Sequence, residues 1–202
     1  PDHFVIFDRV VSTHGDYVKT WLLHHANEPI VTGNKWSSDQ QAGRIVAQTL
    51  LPEDATLTKV GGPGNEFLAD GVNYAIDAGP SQYIIDKQYP IGKFEYEETP
   101  ELMGRWRVEV TPGVPRKTDL FLHLIHVGDL DLDLTDGDAQ VEVSDDQVLL
   151  EFNTDSNKVS LRLSAAGEVG GEIRILEGDC VIVDQKLTRD VLPQAGLATL
   201  PT

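Results

Sequence analysis

Residues 3–31 read HFVIFDRVVSTHGDYVKTWLLHHANEPIV. Two runs within it, Phe4–Val11 and Tyr17–His25, are dense in Val, Ile, Phe, Trp and Leu, and the joint between them holds Gly15 and Asp16. Such runs predict strands, and the polar joint predicts that they form a hairpin. Side chains alternate along a strand. Phe4, Ile6 and Asp8 therefore share one face of the first strand, and Leu22 and His24 share one face of the second. Asp8 breaks an otherwise apolar row. A buried carboxylate is costly unless it is paired, hydrogen-bonded or bound to a metal, so Asp8 needs a partner.

Outward from this stretch the same pattern recurs. GRIVAQTLL (43–51) and ATLTKV (55–60) are predicted strands separated by Pro52-Glu53-Asp54, and the polar run Trp36–Ala42 is predicted to be a loop. Gly61-Gly62-Pro63-Gly64 lacks the Gly-Lys-Ser/Thr ending of a phosphate loop and opens no helix, so a tight connection with positive φ is expected. Asp70-Gly71 is a hairpin turn pair. Residues 77–103, with Pro80, Pro90, Pro100 and four aromatics, read as a long excursion. Its aromatics either stack on sugar rings or fasten the loop to the domain.

GRWRVEV (104–110) places Arg105, Arg107 and Glu109 on one face and Trp106 and Val108 on the other. DLFLHLIHV (119–127) is the most apolar strand, with His123 and His126 on opposite faces. Between Asp129 and Asp155 lie ten acidic residues and no Lys or Arg. An EF-hand started at Asp131 fails, because Asp136 stands where the loop requires Gly. Alternating Asp and Leu there reads as an edge strand and turn whose charge blocks edge pairing. From Gln140 onward five short strands alternate with turns at Asp145-Asp146, Ser156-Asn157, Gly170-Gly171 and Gly178-Asp179. Strands at about ten-residue intervals without a long helical period predict an all-β, two-layer, mostly antiparallel sandwich. Its expected core includes Phe4, Ile6, Trp21, Leu23, Val46, Trp106, Leu122, Leu124, Leu150 and Leu161.

The chain has 202 residues, which fits a single domain over 1–202, and 40% of them are hydrophobic, enough for a large core. A formal charge of −17 argues against nucleic acid and anionic membranes as partners. It also opposes a polyanion unless local Lys, Arg or a metal reverses the field. Cys180, the only cysteine, excludes an intrachain disulfide and is expected to be buried in a strand. No run of about 18 apolar residues exists to span a membrane. The chain starts at Pro1, without a visible signal peptide, and reads as a processed or excised segment.

The motifs FVIFDRV, KTWLLHHANEP, RIVAQTLLPEDATLTKVGGPGNEF and GRWRVEVTP, with RDVLPQAGL near the end, resemble the C-terminal β-sandwich domain of heparinase II/III-like polysaccharide lyases. They cover most of the chain in the family's order. The resemblance implies a parent that acts on a uronate-containing polysaccharide by β-elimination, outside the cell or in the periplasm. In that family the acid–base groups come chiefly from an N-terminal helical toroid and a His-containing segment before the sheet domain. The 202 residues contain neither, so the resemblance implies a lyase module, structural or carbohydrate-facing, with the alternative of an active lyase completed by another chain. Association with a helical domain, or with itself, is expected. The resemblance also implies a structural zinc, with Asp8 and His24 matching two of its ligands and His25 on the opposite face of its strand. Without a metal, Asp8 would need a cation such as Arg9 or Arg44, and His24 would be a hydrogen-bonded core residue.

Overall fold

A computed structural model describes residues 2–74, 104–133 and 139–187. The excursion expected at 77–103 lies outside the described residues. The chain divides into two compact units, residues 1–134 and 135–202. Every described element is a strand or a turn, and every strand pair is antiparallel, as the sequence predicts.

Unit 1 contains β1 (Asp2–Val11), β2 (Trp21–His25), β3 (Ile30–Thr32), β4 (Lys35–Gln40), β5 (Gly43–Leu51), β6 (Thr56–Gly61), β7 (Leu68–Ala69), β8 (Val72–Asn73), β9 (Trp106–Thr111) and β10 (Thr118–Asp129). One sheet has the order β1-β10-β5-β4-β3, a second β2-β9-β6, and β7-β8 is a small hairpin. The two larger sheets form a sandwich. Trp36, Ala47, Phe121 and Ile125 from the first meet Val108 and Val110 from the second, and Ile6, Val10, Trp21, Leu23 and Leu57 close the core.

The first two strands do not form the expected hairpin. β1 pairs with β10 and β2 with β9, in opposite sheets. The connector, residues 12–20, is much longer than a tight hairpin turn and spans the roughly 10 Å between layers. Each strand thus buries its apolar row against the other sheet rather than beside it. Lys35–Gln40 is a strand rather than a loop. Its polarity is deceptive, because Trp36 is wholly buried and the small Ser37 and Ser38 are buried with it, with the Ser38 hydroxyl donating to the Asn27 carbonyl.

β10 explains its own composition. Phe121 and Ile125 enter the sandwich core, while Leu122 and Leu124, of opposite parity, are also fully buried. A strand covered on both faces has no place for alternation, hence the continuous apolar run. His123 and His126 are buried as well. Phe4, expected in the core, is 52% exposed near one end of β1, an edge strand of its sheet. Trp106 is only partly buried; its indole lies against Gly62, where a Cβ would approach within 2.6 Å. Gly61, Gly62 and Gly64 have φ of 141°, 80° and 83°, the tight connection read from their sequence. Asp70 and Gly71 have φ of 49° and 77°, as a primed hairpin turn requires.

Unit 2 is a five-stranded meander of β11 (Gln140–Val143), β12 (Gln147–Asn153), β13 (Asn157–Ser164), β14 (Gly171–Glu177) and β15 (Cys180–Lys186), hydrogen-bonded in that order. Val148, Leu150 and Phe152 of β12 and Val159, Leu161 and Leu163 of β13 make one buried face. Cys180, expected to be buried, is exposed on the edge strand β15.

Candidate functional site

The structure does not bring Asp8 and His24 together. Asp8 is paired opposite Phe121 in β10, so it shares the inner face of the five-stranded sheet with Ile6 and Val10. His24 is paired opposite Arg107 in the three-stranded sheet. Its neighbours Trp21 and Leu23 point into the core, so His24 points outward, and its Nδ1–H donates to the Gly104 carbonyl at 3.1 Å. Arg44, one cation considered for Asp8, instead holds Asp39 through Nε at 2.6 Å. Among the described residues no group of three or more His, Cys, Asp or Glu is placed to hold a metal.

The inward histidine of the pair is His25. It is buried, and its Nε2 accepts a hydrogen bond from Trp36 Nε1–H at 3.2 Å. Burial, with a smaller contribution from neighbouring His24, pushes its pKa down to about 4. His123 is wholly buried, stacked on Trp21 with ring centroids 3.8 Å apart, and its Nδ1 lies 3.1 Å from the Thr49 hydroxyl. Burial pushes its pKa down to about 3, and its Nε2 has no hydrogen-bond partner among the described residues. Both imidazoles are neutral at ordinary pH and shut in the core. They bind the sandwich together rather than meet a substrate.

At one end of unit 1 the β1–β2 and β9–β10 loops enclose a cavity of about 230 Å³ with Tyr17, Val18, Pro112 and Val114 in its wall. Three of its charged groups, Lys19, Arg116 and Asp119, are already committed to one another. Asp119, with a fully buried side chain, has Lys19 Nζ 2.9 Å from Oδ2 and Arg116 Nη1 3.1 Å from Oδ1. Arg116 also grips Asp54 at 2.5 Å, and that hydrogen bond holds the Asp54 carboxyl below the usual range. Lys19 further donates to the Arg116 carbonyl. This cluster ties two loops to each other.

The open site is on unit 2. With one face of the meander buried, alternation sends Leu149 and Glu151 of β12, Lys158, Ser160 and Arg162 of β13, Glu172, Arg174 and Leu176 of β14, and Asp184 of β15 to the other. These nine residues line a groove of about 460 Å³ across four strands. The register sets them in rows. Leu149, Arg162, Glu172 and Lys186 are successive cross-strand partners, and so are Glu151, Ser160, Arg174 and Asp184. Every Lys and Arg among the described residues of unit 2 (Lys158, Arg162, Arg174, Lys186) is on this face. Lys158 pairs with Glu151 at 3.2 Å. Such a surface can hold a polar chain by many hydrogen bonds.

The sequence reading identified these strands and their turns but did not single out the face. The signal was available in the parity of Lys158, Arg162 and Arg174, which only the pairing register turns into one surface. Neither family models nor curated proteins gave a match to this sequence.

Proposed function

We propose that this chain is the β-sandwich module of a heparinase II/III-like polysaccharide lyase and that it faces the carbohydrate rather than cleaving it. The motifs from FVIFDRV to GRWRVEVTP support the parentage, and the all-β antiparallel architecture agrees with it. The observation that carries the carbohydrate-facing role is the open groove of about 460 Å³ on unit 2, lined by hydrogen-bonding side chains from four adjacent strands. Extended polymers suit such a surface, since contacts repeat along a strand at about 7 Å for every second residue. A zinc held by Asp8 and His24 is not part of the proposal, because the two residues lie in different sheets. The parentage carries with it an extracellular or periplasmic location.

The test is to run the whole chain through gels containing uronate polymers while following ultraviolet absorbance of any unsaturated product. Retardation without product supports the module. Absence of retardation by any polymer would sink it. Product formation that a single substitution in this chain abolishes would favour the alternative, an active lyase with further groups on another chain.

A further inference from the structure

Two arginines on the unit 2 groove are placed to pair and do not. Arg162 lies directly across from Glu172, and Arg174 directly across from Asp184. Directly opposed, oppositely charged side chains in a sheet are near enough to pair and gain a little by doing so. Among the described residues neither guanidinium makes an ion pair or hydrogen bond, and only Lys158 on this face is engaged, with Glu151. The two arginines are diagonal neighbours, about 7–8 Å apart by sheet geometry. Each presents a planar fork of donors, which suits the paired oxygens of a carboxylate or sulfate.

The acids on the same face decide what kind of anion fits. Glu142, Glu151, Glu172 and Asp184 share the surface with Lys158, Lys186 and the two arginines, so it is close to neutral in a chain of net charge −17. A bare polyanion such as a nucleic acid would meet as many acids as bases. A chain bearing both anionic groups and hydroxyls would satisfy both, with the anions on the forks and the hydroxyls donating to the carboxylates.

We infer that Arg162 and Arg174 form the anion-recognising centre of the unit 2 face, taking carboxylate or sulfate groups of a hydroxylated polymer. The inference rests on the carbohydrate-facing reading and adds the groups that select the ligand. In its favour, the alternating strands place both forks on the open face with no packing role to lose.

The experiment measures affinity of the whole chain for polygalacturonate, for the same polymer with its carboxyls reduced to neutral alcohols, and for dextran sulfate. The Arg162→Gln/Arg174→Gln variant should keep its thermal transition and lose about tenfold or more in affinity for at least one anionic polymer. Arg162→Lys/Arg174→Lys, which retains charge but not the forks, should fall between, and it serves as the test should the glutamine variant misfold. Lys59→Gln, which removes an engaged cation of unit 1 outside the groove, should change affinity less than about threefold. Preference for polygalacturonate over dextran sulfate assigns carboxylate, and the reverse assigns sulfate. Equal binding of the reduced polymer, unmoved by the double variant, overturns this inference and leaves the carbohydrate-facing reading standing. An equal loss in Lys59→Gln also overturns it, since net charge alone would then explain binding. Failure to bind any of the three polymers overturns both.

Discussion

In unit 1 the guanidiniums of Arg44, Arg107 and Arg116 hold Asp39, Glu109 and Asp54 at 2.6, 2.6 and 2.5 Å. In unit 2 those of Arg162 and Arg174 stand opposite Glu172 and Asp184 and close on neither. The difference follows from how each unit is built. Unit 1 places its first two strands in different sheets and must order the loops that cross between them; the Lys19–Asp119 and Arg116–Asp54 pairs do that work at one end, while buried polar groups tie its core. Unit 2 is a meander of nearest-neighbour hairpins, whose alternating pattern alone fixes every strand. Among the described residues its outward Arg162 and Arg174 have no ion pair to keep, which frees them for contact.

The core gives the most severe test of that contrast. Trp36→Ala should destabilise unit 1 by about 3–5 kcal/mol, from lost volume and from the loss of the indole N–H that His25 accepts. Leu150→Ala in the purely apolar face of unit 2 should cost about 2–5 kcal/mol. Chemical denaturation followed by far-ultraviolet circular dichroism would measure both. If Trp36→Phe, which keeps most of the volume, restores full stability, the polar network in unit 1 counts for little and the contrast weakens.

Next comes the ion pair at the loop end. Lys19 is 8% exposed and Asp119 fully buried in their side chains. Lys19→Met should cost about 3 kcal/mol, the low end for breaking a buried pair, because Arg116 still neutralises Asp119. The exposed pair Lys158–Glu151 of unit 2 should cost at most about 1 kcal/mol when Lys158 is removed. Equal losses in the two melts would refute the division between the buried, structural charges of unit 1 and the exposed charges of unit 2.

Acid sharpens the contrast with a smaller effect. Burial holds His25 and His123 at about 4 and about 3, below the ordinary 6.5. The unfolded chain therefore takes up protons from about pH 6.5 downward while the fold does not, so stability is full above 6.5 and falls as pH drops toward the folded values. The slope is about 1.4 kcal/mol per pH unit for each imidazole. Both groups lie in unit 1. Denaturation curves between pH 6.5 and 5, above most carboxylate titration, should show this slope, and His123→Gln should reduce it by about half. An unchanged slope in that variant would mean that His123 is not buried neutral.

How much of this was legible in the sequence depends on range. Four of the unit 2 strands are found to within a residue, because Gly178-Asp179 and Ser156-Asn157 punctuate alternating runs whose partners are their sequence neighbours; the fifth, β15, runs three residues beyond its expected end. The Asp70-Gly71 hairpin and the glycine connection at 61–64 were equally readable, since turn chemistry is local. The partners of β1 and β2 were not. Nothing within 3–31 says that β10, over a hundred residues away, will take β1, or that β2 will turn to β9. With the hairpin gone, Asp8 and His24 lose the common face that the ligand pair implied by the resemblance would have needed. Trp36 was hidden by polar neighbours, although small buried serines in a strand explain that run once Ala47 is seen opposite it. The open groove was missed for a related reason: single cations scattered along three strands become one surface only through register.

Cys180 gives the smallest expected effect and a direct check on that register. The run Cys-Val-Ile-Val was read correctly as a strand, but burial was inferred from its composition alone. The fold places it in β15, at the edge of the unit 2 sheet, with Cys180 paired opposite Glu177. Val181 and Ile182 are 45% and 51% exposed, so the apolar run covers little. Cys180→Ser should therefore change stability by less than about 0.5 kcal/mol. In the native protein a water-soluble thiol reagent should label one thiol per chain at the rate seen after denaturation. Labelling that waits for denaturant would show β15 covered, and would cast the same doubt on the neighbouring open face that carries Arg174 and Asp184.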